Sequence, residues 1–334
     1  MYYIMDNKKF LKKENPINKL LTVEAVEAIM RCTGLDLPVN DIKIYQTAFV
    51  HRSYLKTRHI QEKHDTSCIA LYDVCNETYE YAGDTILNSV IGTYLYGRYY
   101  DQNEGFLTKT RTKMVRGTTL GELAKRIGFS EWVIISQHVE NENGRYNIRI
   151  LEDLFEAFIA AIYLDNGSEP ISDAWFTNIK KYRTLTERCN TLERSLDASH
   201  KIKEYVQCNQ ELRIITDLLF CNRSNGYLYC QKFIINAYER YIDISRLIAQ
   251  DDNYKDQLQH YFQKIGDTFP TWPVIKEEGK TNNRWHTVGV RDRYGNLIGV
   301  AKSRKKTDAE QLASRDALIH LGVISANHEM FFRE

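Results

Sequence analysis

The sequence lacks three features that would suggest a protein class at once: a long apolar run, a Cys-x-x-Cys pair and a large net charge. No stretch approaches about 18 consecutive apolar residues, so we expect no membrane span. The seven cysteines form no Cys-x-x-Cys pair, which argues against a zinc site or a disulfide framework and favours a reducing compartment. The Lys-rich start has no apolar run of the secretory type. These absences predict a cytoplasmic protein without membrane contact.

The charges of the chain nearly cancel, with 45 Lys and Arg against 44 Asp and Glu and a formal net charge of +1. The chain as a whole is therefore not a polycation. Any surface for nucleic acid must come from local clusters of basic residues. The 334 residues, of which 43% are hydrophobic, suffice for about two domains with packed cores.

Two apolar, helix-like segments each carry a pair of acids. Glu80 and Asp84 are spaced at i and i+4, and Asp153 and Glu156 at i and i+3. These spacings put both acids of a pair on one face of a helix. Carboxylates in apolar surroundings are costly to bury unless they are paired or bind a cation. Two such helices side by side would form a four-carboxylate pocket suited to Mg²⁺, which prefers oxygen ligands.

The first half of the chain has helical periodicity nearly throughout. We predict helices at residues 22–32, 42–54, 76–100, 107–115 and 118–127. Residues 1–20 are polar, and we expect them to be frayed. Residues 166–250 are charged and favour helix, which predicts a helical spacer or a packing subdomain.

The pattern changes at about residue 252, where alternating apolar and polar residues predict strands between two helices. The predicted order is α-β-β-β-α, with elements at 254–264, 272–278, 285–292, 296–303 and 307–321. Basic residues gather where the closing helix begins. The helix dipole disfavours cations there, so such a cluster makes sense chiefly when it faces an anion.

Three motifs resemble those of the ribonuclease III family of double-stranded-RNA endonucleases. Residues 76–84 (NETYEYAGD) resemble the family stretch Asn-Glu-Arg-Leu-Glu-Phe-Leu-Gly-Asp, and residues 51–54 (HRSY) resemble its lead-in. Residues 152–165 (EDLFEAFIAAIYLD) resemble the second family block. The C-terminal block, through residues 253–263 and 299–311, resembles a double-stranded-RNA-binding domain.

The resemblance implies an all-α RNase III-like endonuclease domain followed by a small α+β (α-β-β-β-α) double-stranded-RNA-binding domain. The implied organisation is an N-terminal extension (1–40), the catalytic domain (41–167), a helical insertion or linker that completes or flanks it (168–250), the RNA-binding domain (251–323) and a C-terminal tail (324–334). Residues 168–250 are the largest departure from the family pattern, and the sequence does not assign them a role.

The resemblance also implies the chemistry. Glu80, Asp84, Asp153 and Glu156 match the catalytic, metal-binding acids of the family, while Glu77 and Glu104 match its auxiliary acids. The implied cofactor is Mg²⁺, with Mn²⁺ as an alternative, and no small-molecule cofactor is expected. Hydrolysis in the family uses two metal ions, in a homodimer, and leaves 5′-phosphate and 3′-hydroxyl ends with two-nucleotide 3′ overhangs. His51 is interpreted as a structural hydrogen-bonding residue rather than a base.

Double-stranded RNA is the implied partner of the C-terminal domain. The residues matched to RNA contacts are Gln259, Asn282, Lys302, Arg304, Lys305 and Lys306. Three positions depart from the family pattern: His260, Asn282 and Thr307. In the first domain, the basic stretch at 108–116 has two interpretations of equal weight, a solvated helix face or a contact for RNA phosphates.

Two other functions remain open on the sequence alone. A catalytically silent RNA-binding or scaffold protein on the same fold would be favoured by replacement of one of the four acids, and none is replaced. An all-α, Mg²⁺-dependent nucleotide pyrophosphohydrolase also pairs acidic helices, but it would not need the basic C-terminal block.

Overall fold

The computed structural model describes residues 13–56, 67–167, 173–194, 199–217, 224–249, 253–279, 284–324 and 331–332. The chain divides into two compact units, Met1–Ile242 and Asp243–Glu334. Asn282, one of the residues matched to RNA contacts, lies outside the described residues. Among the described helices, none is both long and apolar enough to cross a membrane.

The described part of the first unit is helical. Its α-helices are α1 (Val23–Cys32), α2 (Ile42–Ala48), α3 (Glu77–Arg98), α4 (Glu104–Met114), α5 (Gly117–Ile127), α6 (Gln137–Asn141), α7 (Ile148–Asp165), α8 (Asp173–Glu193), α9 (Ser199–Thr216) and α10 (Ser224–Tyr241). The helix predicted at 42–54 ends early, at Ala48, and a short 3₁₀ turn follows at Arg52–Tyr54. The reason is a long-range bond: the backbone N–H of His51 donates to Ile134 O at 3.0 Å instead of continuing the helix.

Helix α7 forms the centre of the first unit. Every residue from Leu154 to Ile162 is buried, and α3, α5 and α10 pack around it. The Phe158 ring lies 5.1 Å from the ring of Phe129 and 5.3 Å from that of Phe233. A helix that is apolar on all sides is stable only when neighbours cover all of them. The second acidic pair therefore lies on the best-supported helix of the unit.

Asp165 fixes the end of α7 to the start of α2. Its buried carboxylate accepts hydrogen bonds from the backbone N–H groups of Asn40 (3.0 Å) and Asp41 (2.7 Å) and from the Tyr45 hydroxyl (3.1 Å). A buried carboxylate is tolerated when its oxygens are satisfied in this way. The last acid of the second motif therefore has a structural role.

Residues 13–20 are packed against the rest of the unit, so the expectation of a frayed start is wrong for this part of 1–20. Asn15 is fully buried. Its side-chain amide donates to Ile135 O at 3.2 Å and to Glu140 Oε2 at 2.8 Å. The same glutamate pairs with the buried Arg145 at 2.6 Å. A polar sequence is ordered here because its amide groups satisfy a buried polar network.

The three helices between residues 173 and 241 have different neighbours. Helices α8 and α9 pack on each other around a small core of Leu185, Cys189, Cys208 and Ile215. Helix α10 instead packs on α3 and α7, and Phe233 enters the central core. Part of the segment predicted as an insertion thus completes the hydrophobic core around α7.

The second unit has the predicted order of two helices around three strands, preceded by a further short helix. Its elements are α11 (Ile244–Ala249), α12 (Tyr254–Lys264), β1 (Val274–Glu278), β2 (Trp285–Arg291), β3 (Leu297–Ser303) and α13 (Lys306–His320). The strands form an antiparallel sheet in the order β1-β2-β3. Leu258 and Phe262 of α12 share a core with Val288 and Val290 of β2. The predicted α-β-β-β-α fold is confirmed.

The contact between α3 and α7 depends on Gly83. A Cβ atom at this position would lie 1.8 Å from the carbonyl oxygen of Glu156, far inside van der Waals contact. Only a glycine lets the two helices approach so closely. Because Glu80 and Asp84 flank Gly83 on α3, the same contact sets the separation of the two acidic pairs.

We expect Gly83→Ala to lower the free energy of unfolding by about 3 kcal/mol or more, because the added methyl group forces α3 from α7. Gly92→Ala is the matched control on the same helix. A Cβ there would meet no described atom within 4 Å, so it should stabilise the protein by up to about 1 kcal/mol. Urea unfolding followed by circular dichroism measures both. Similar effects of the two substitutions would contradict the proposed close approach.

Candidate active site

The start of α3 is anchored by the backbone of Asn76. Its N–H donates to Val50 O at 2.9 Å, and its carbonyl oxygen accepts from Glu80 N at 2.8 Å. Val50 is in turn bridged to Ile134. The first turn of α3, which carries the first acids, is thereby held beside the 3₁₀ turn at Arg52–Tyr54.

An open cavity of about 320 Å³ lies at this junction. We call it the acidic cavity, and it is lined by His51, Arg52, Asn76, Glu77, Glu80 and Asp153. It brings together one acid from each predicted pair, Glu80 and Asp153, and adds the auxiliary Glu77. Arg52 is the cationic member of this lining, and its guanidinium lies 3.5 Å from Glu77 Oε1.

The other two predicted acids do not line the acidic cavity. Asp84, one turn after Glu80, is exposed, and its carboxylate accepts a hydrogen bond from Asn88 Nδ2 at 2.6 Å. Glu156 is 7% exposed and lies where α7 touches Gly83. The four acids thus share the α3–α7 junction, but their side chains range from exposed (Asp84) to buried (Glu156).

The junction is electrostatically unfavourable for carboxylates. Burial, and then the nearby carboxylates of Asp84 and Glu152, raise the pKa of Glu156 to about 8. Burial, and then Glu80 and Glu152, raise the pKa of Asp153 to about 7. Like charges in partly dry surroundings disfavour each other's ionised forms. A bound cation is the usual way in which proteins stabilise such a group of acids.

Glu152 is a further acid at the junction, and the sequence assigns it no role. It is half-buried, and its side chain lies against the backbone at the start of α5, where a Cβ on Gly117 would meet Glu152 Oε2 at 2.1 Å. Its charge contributes to the raised pKa values of Asp153 and Glu156. Its position next to Asp153 in sequence was the available signal.

The chemistry of these acids suits a divalent cation. They provide carboxylate oxygens as ligands, and a bound cation would relieve the repulsion between them. In the part of the chain that the structure describes, no three His, Cys, Asp or Glu side chains are gathered closely enough to bind one ion. The helices are fixed by the contact at Gly83, so convergence on an ion requires side-chain rotation alone. Asp84, with its exposed carboxylate, has most freedom to rotate.

The remaining residues of the first unit separate into cavity and surface positions. Glu104 begins α4, is exposed, and accepts a hydrogen bond from the Thr108 hydroxyl at 3.1 Å; it does not line the acidic cavity. Nδ1 of His51 accepts from Ser53 N at 3.2 Å, and burial lowers the pKa of His51 to about 4. A neutral, hydrogen-bonded ring agrees with its interpretation as a structural residue.

The basic stretch at 108–116 has both exposed and buried cations. Lys109 and Arg111 are exposed, whereas Lys113 is 7% exposed. The stretch is therefore not a uniform charged face. Its exposed members remain compatible with either interpretation made from the sequence.

The basic residues of the second unit fall into two groups. Lys305 and Lys306, at the start of α13, are exposed. Lys302 is exposed as well, but it pairs with Glu278 at 2.5 Å and lies over the Trp285 ring. Arg304 lies over the same ring, with 5.4 Å between its guanidinium carbon and the ring centroid. Gln259 is half-buried on α12.

Both units match known families. A family model described as Ribonuclease-III-like matches residues 41–182, and one described as Double-stranded RNA binding motif matches residues 254–321. Over these two regions the chain is similar to proteins of the ribonuclease III family.

Several named ribonucleases are similar to this chain. Probable ribonuclease 3 of Acanthamoeba polyphaga mimivirus is 26% identical over 315 residues, covering 92% of this chain and 47% of that protein. Ribonuclease 3 of Bacillus licheniformis is 28% identical over 282 residues, covering 84% of each. The chain thus spans about half the length of the viral relative. The solved nuclease domain of ribonuclease III from Campylobacter jejuni is 26% identical, with a TM-score of 0.35, over 42% of this chain and 82% of that one.

We expect Glu156→Gln to stabilise this protein when divalent ions are absent. Because the pKa of Glu156 is raised from 4.5 to about 8, the folded protein holds a proton that the unfolded chain releases. Stability is then lost as the pH rises through this window. Gln keeps the shape without the charge, so Tm in EDTA should rise much more at about pH 8 than at about pH 4.

Thermal unfolding at both pH values measures this effect. Glu104→Gln, an exposed acid on α4, is the control and should leave Tm nearly unchanged at both. An equal or lower Tm of Glu156→Gln at the higher pH would show that the carboxylate is not destabilised by its neighbours.

Proposed function

We propose that this chain is a Mg²⁺-dependent endoribonuclease that hydrolyses double-stranded RNA, with Glu80, Asp84, Asp153 and Glu156 as its metal-binding acids. The observation that carries the proposal is the close contact at Gly83, which joins two acidic helices so that four carboxylates repel one another at a single junction. Such an arrangement is costly unless it serves to bind cations. The match of residues 41–182 to the Ribonuclease-III-like family supports the same activity.

Hydrolysis of a phosphodiester needs an activated water and a stabilised leaving oxygen. When bound, Mg²⁺ would supply both, by lowering the pKa of a coordinated water and by neutralising charge on the leaving oxygen. The chain itself contributes ligands from two helices whose backbones are fixed against each other, so only side-chain freedom is left to lose when the carboxylates converge. Arg52, exposed at the mouth of the acidic cavity, adds a positive charge on the side from which an anionic backbone would approach. Mn²⁺ has similar ligand preferences and is expected to substitute.

The finer features carried by the family resemblance belong to the same proposal. Cleavage is proposed to leave 5′-phosphate and 3′-hydroxyl ends with 3′ overhangs, through a homodimer that presents one site to each strand. Glu77 lies in the acidic cavity beside Arg52, which supports an auxiliary role near substrate. Glu104 has no such support, because it is a surface residue hydrogen-bonded to Thr108.

The second unit is proposed to bind duplex RNA chiefly through phosphate contacts. Lys305 and Lys306 are exposed at the start of α13, where cations oppose the helix dipole and gain most from an anionic partner. Lys302 is paired with Glu278, so it offers less free charge to RNA, whereas Arg304 over the Trp285 ring keeps its positive charge and its exposure. The double-stranded RNA binding motif matched at 254–321 supports this partner.

We expect Glu156→Gln to abolish cleavage of a duplex RNA while leaving its affinity for the duplex within about threefold. Loss of a metal ligand removes several kcal/mol of transition-state stabilisation, or about 1000-fold in rate, whereas affinity comes mainly from phosphate contacts elsewhere. The assay uses end-labelled duplex RNA with and without Mg²⁺, and Glu142→Gln, on the exposed surface, is the control. Normal cutting with weakened binding would contradict the assignment. Binding without cutting by the unaltered protein would favour a silent scaffold.

We expect the Lys305→Ala/Lys306→Ala double variant to bind duplex RNA more weakly and to have a shallower dependence of affinity on salt. Each lost phosphate contact reduces the salt slope by about one. Lys276→Ala is the matched control, since its Nζ is occupied by Glu278 at 2.5 Å. Fluorescence anisotropy over a range of salt concentrations measures the slope. An unchanged slope in the double variant would exclude these two lysines from the RNA contact.

A further inference from the structure

Asn76 presents a buried hydrogen-bond donor that has no partner. The residue is 2% exposed and lines the acidic cavity with Arg52, Glu80 and Asp153. Among the residues that the structure describes, its side-chain Nδ2 is shielded from solvent and bonded to nothing. An unpaired amide donor in a protein interior costs free energy. The chain therefore tolerates a local defect beside its proposed catalytic acids.

The side chain of Asn76 also does not cap the helix that follows it. Asn is among the best residues for capping the start of a helix, and Asn76 immediately precedes α3, yet its side chain makes no capping bond. The side chains of Asn103 and Asn147 do cap their helices, accepting from the N–H groups of Phe106 (2.9 Å) and Arg149 (3.0 Å). The Asn76 side chain thus does not cap the helix, and its Nδ2 has no partner among the described residues.

The surroundings of the amide indicate the kind of ligand that would satisfy it. An amide N–H can only donate, so its partner must be an acceptor. Arg52 lies in the same cavity with an exposed guanidinium, so an acceptor that also carries negative charge is favoured. The carboxylates of Glu77, Glu80 and Asp153 would repel such an anion unless cations are bound beside them. A phosphodiester oxygen entering a metal-loaded site meets all of these conditions.

We propose that Asn76 is a substrate-binding residue whose side-chain amide donates a hydrogen bond to a non-bridging oxygen of the RNA phosphodiester to be cut, next to Arg52. The inference rests on the proposed function, because the negative charge of the cavity admits RNA only when divalent ions are present. Small adjustment of the amide brings Nδ2 to the cavity surface. The incoming phosphate then supplies the partner that the free protein lacks, and this one bond orients the reacting group.

The test compares three substitutions in the full-length chain: Asn76→Ala, the similarly sized Asn76→Leu and the control Asn147→Ala. For both Asn76 variants the single-turnover rate on saturating duplex RNA in Mg²⁺ should fall about 100-fold, as for loss of one donor to a reacting oxygen. Duplex affinity in EDTA should change less than about threefold, since many other phosphates contribute to it. Their Tm should stay level or rise, because an unsatisfied donor is removed. Asn147→Ala should lose a true cap, with a lower Tm and a normal rate.

The readouts separate this inference from its alternatives. A normal rate in either Asn76 variant would overturn it. A fall in Tm for both Asn76 variants as large as that of Asn147→Ala would also overturn it, since the side chain would then have a structural role. If the unaltered protein fails to cut duplex RNA in Mg²⁺, the proposed function itself is wrong. If it cuts and the Asn76 variants cut equally well, only the role of Asn76 is wrong.

Discussion

The close packing of α3 on α7 is the contact on which the acidic site depends. Gly83 lies directly on the backbone of Glu156, so the distance between the two helices is set by main-chain atoms rather than by adaptable side chains. Main-chain contacts are stiff, and they transmit the position of α7 to Glu80 and Asp84 on α3. The aromatic core around Phe158 holds α7 in turn. The positions of the acidic residues are therefore set by packing in the hydrophobic core.

The same packing creates an electrostatic conflict that the rest of the unit must offset. Burial and mutual repulsion raise the pKa values of Asp153 and Glu156, so their ionised forms weaken the folded state. Asp165 is a different kind of buried acid, because its carboxylate accepts three hydrogen bonds. Asp153 and Asp165, near the opposite ends of α7, thus have contrasting surroundings. Asp165 is hydrogen-bonded and structural, whereas Asp153 lies among carboxylates that raise its pKa.

Sequence reasoning was effective where a local repeat determines the structure. The spacing of the acids predicted two helices, and alternation predicted the three strands of the second unit; the structure contains both. It failed where distant residues decide. Asn15 is ordered by a bond to Ile135, 120 positions away, and no local pattern in residues 13–20 signals this. The sequence also did not predict how deeply each acid is buried. Helical spacing assigns a residue to a face of the helix, but it does not identify the neighbour that covers that face.

The sequence also does not predict which basic residues of the second unit have partners within that unit. Lys302 and Arg304 belong to a run that reads as uniformly available for phosphate, yet both lie over Trp285, which begins a different strand. Charge counting treats every lysine alike, whereas the folded sheet separates those with internal partners from those at a helix start. Lys305 and Lys306 are of the second kind.

The hairpin of α8 and α9 has a core of its own, made of Leu185, Cys189, Cys208 and Ile215. Because this pair of helices buries its apolar residues internally, it does not depend on the core around α7. Such a module can lengthen, shorten or open locally without disturbing the residues that surround α7. The chain can therefore vary in this region during evolution while the acidic junction stays unchanged, and slow hydrogen exchange would be expected to persist in α7 after the hairpin has exchanged.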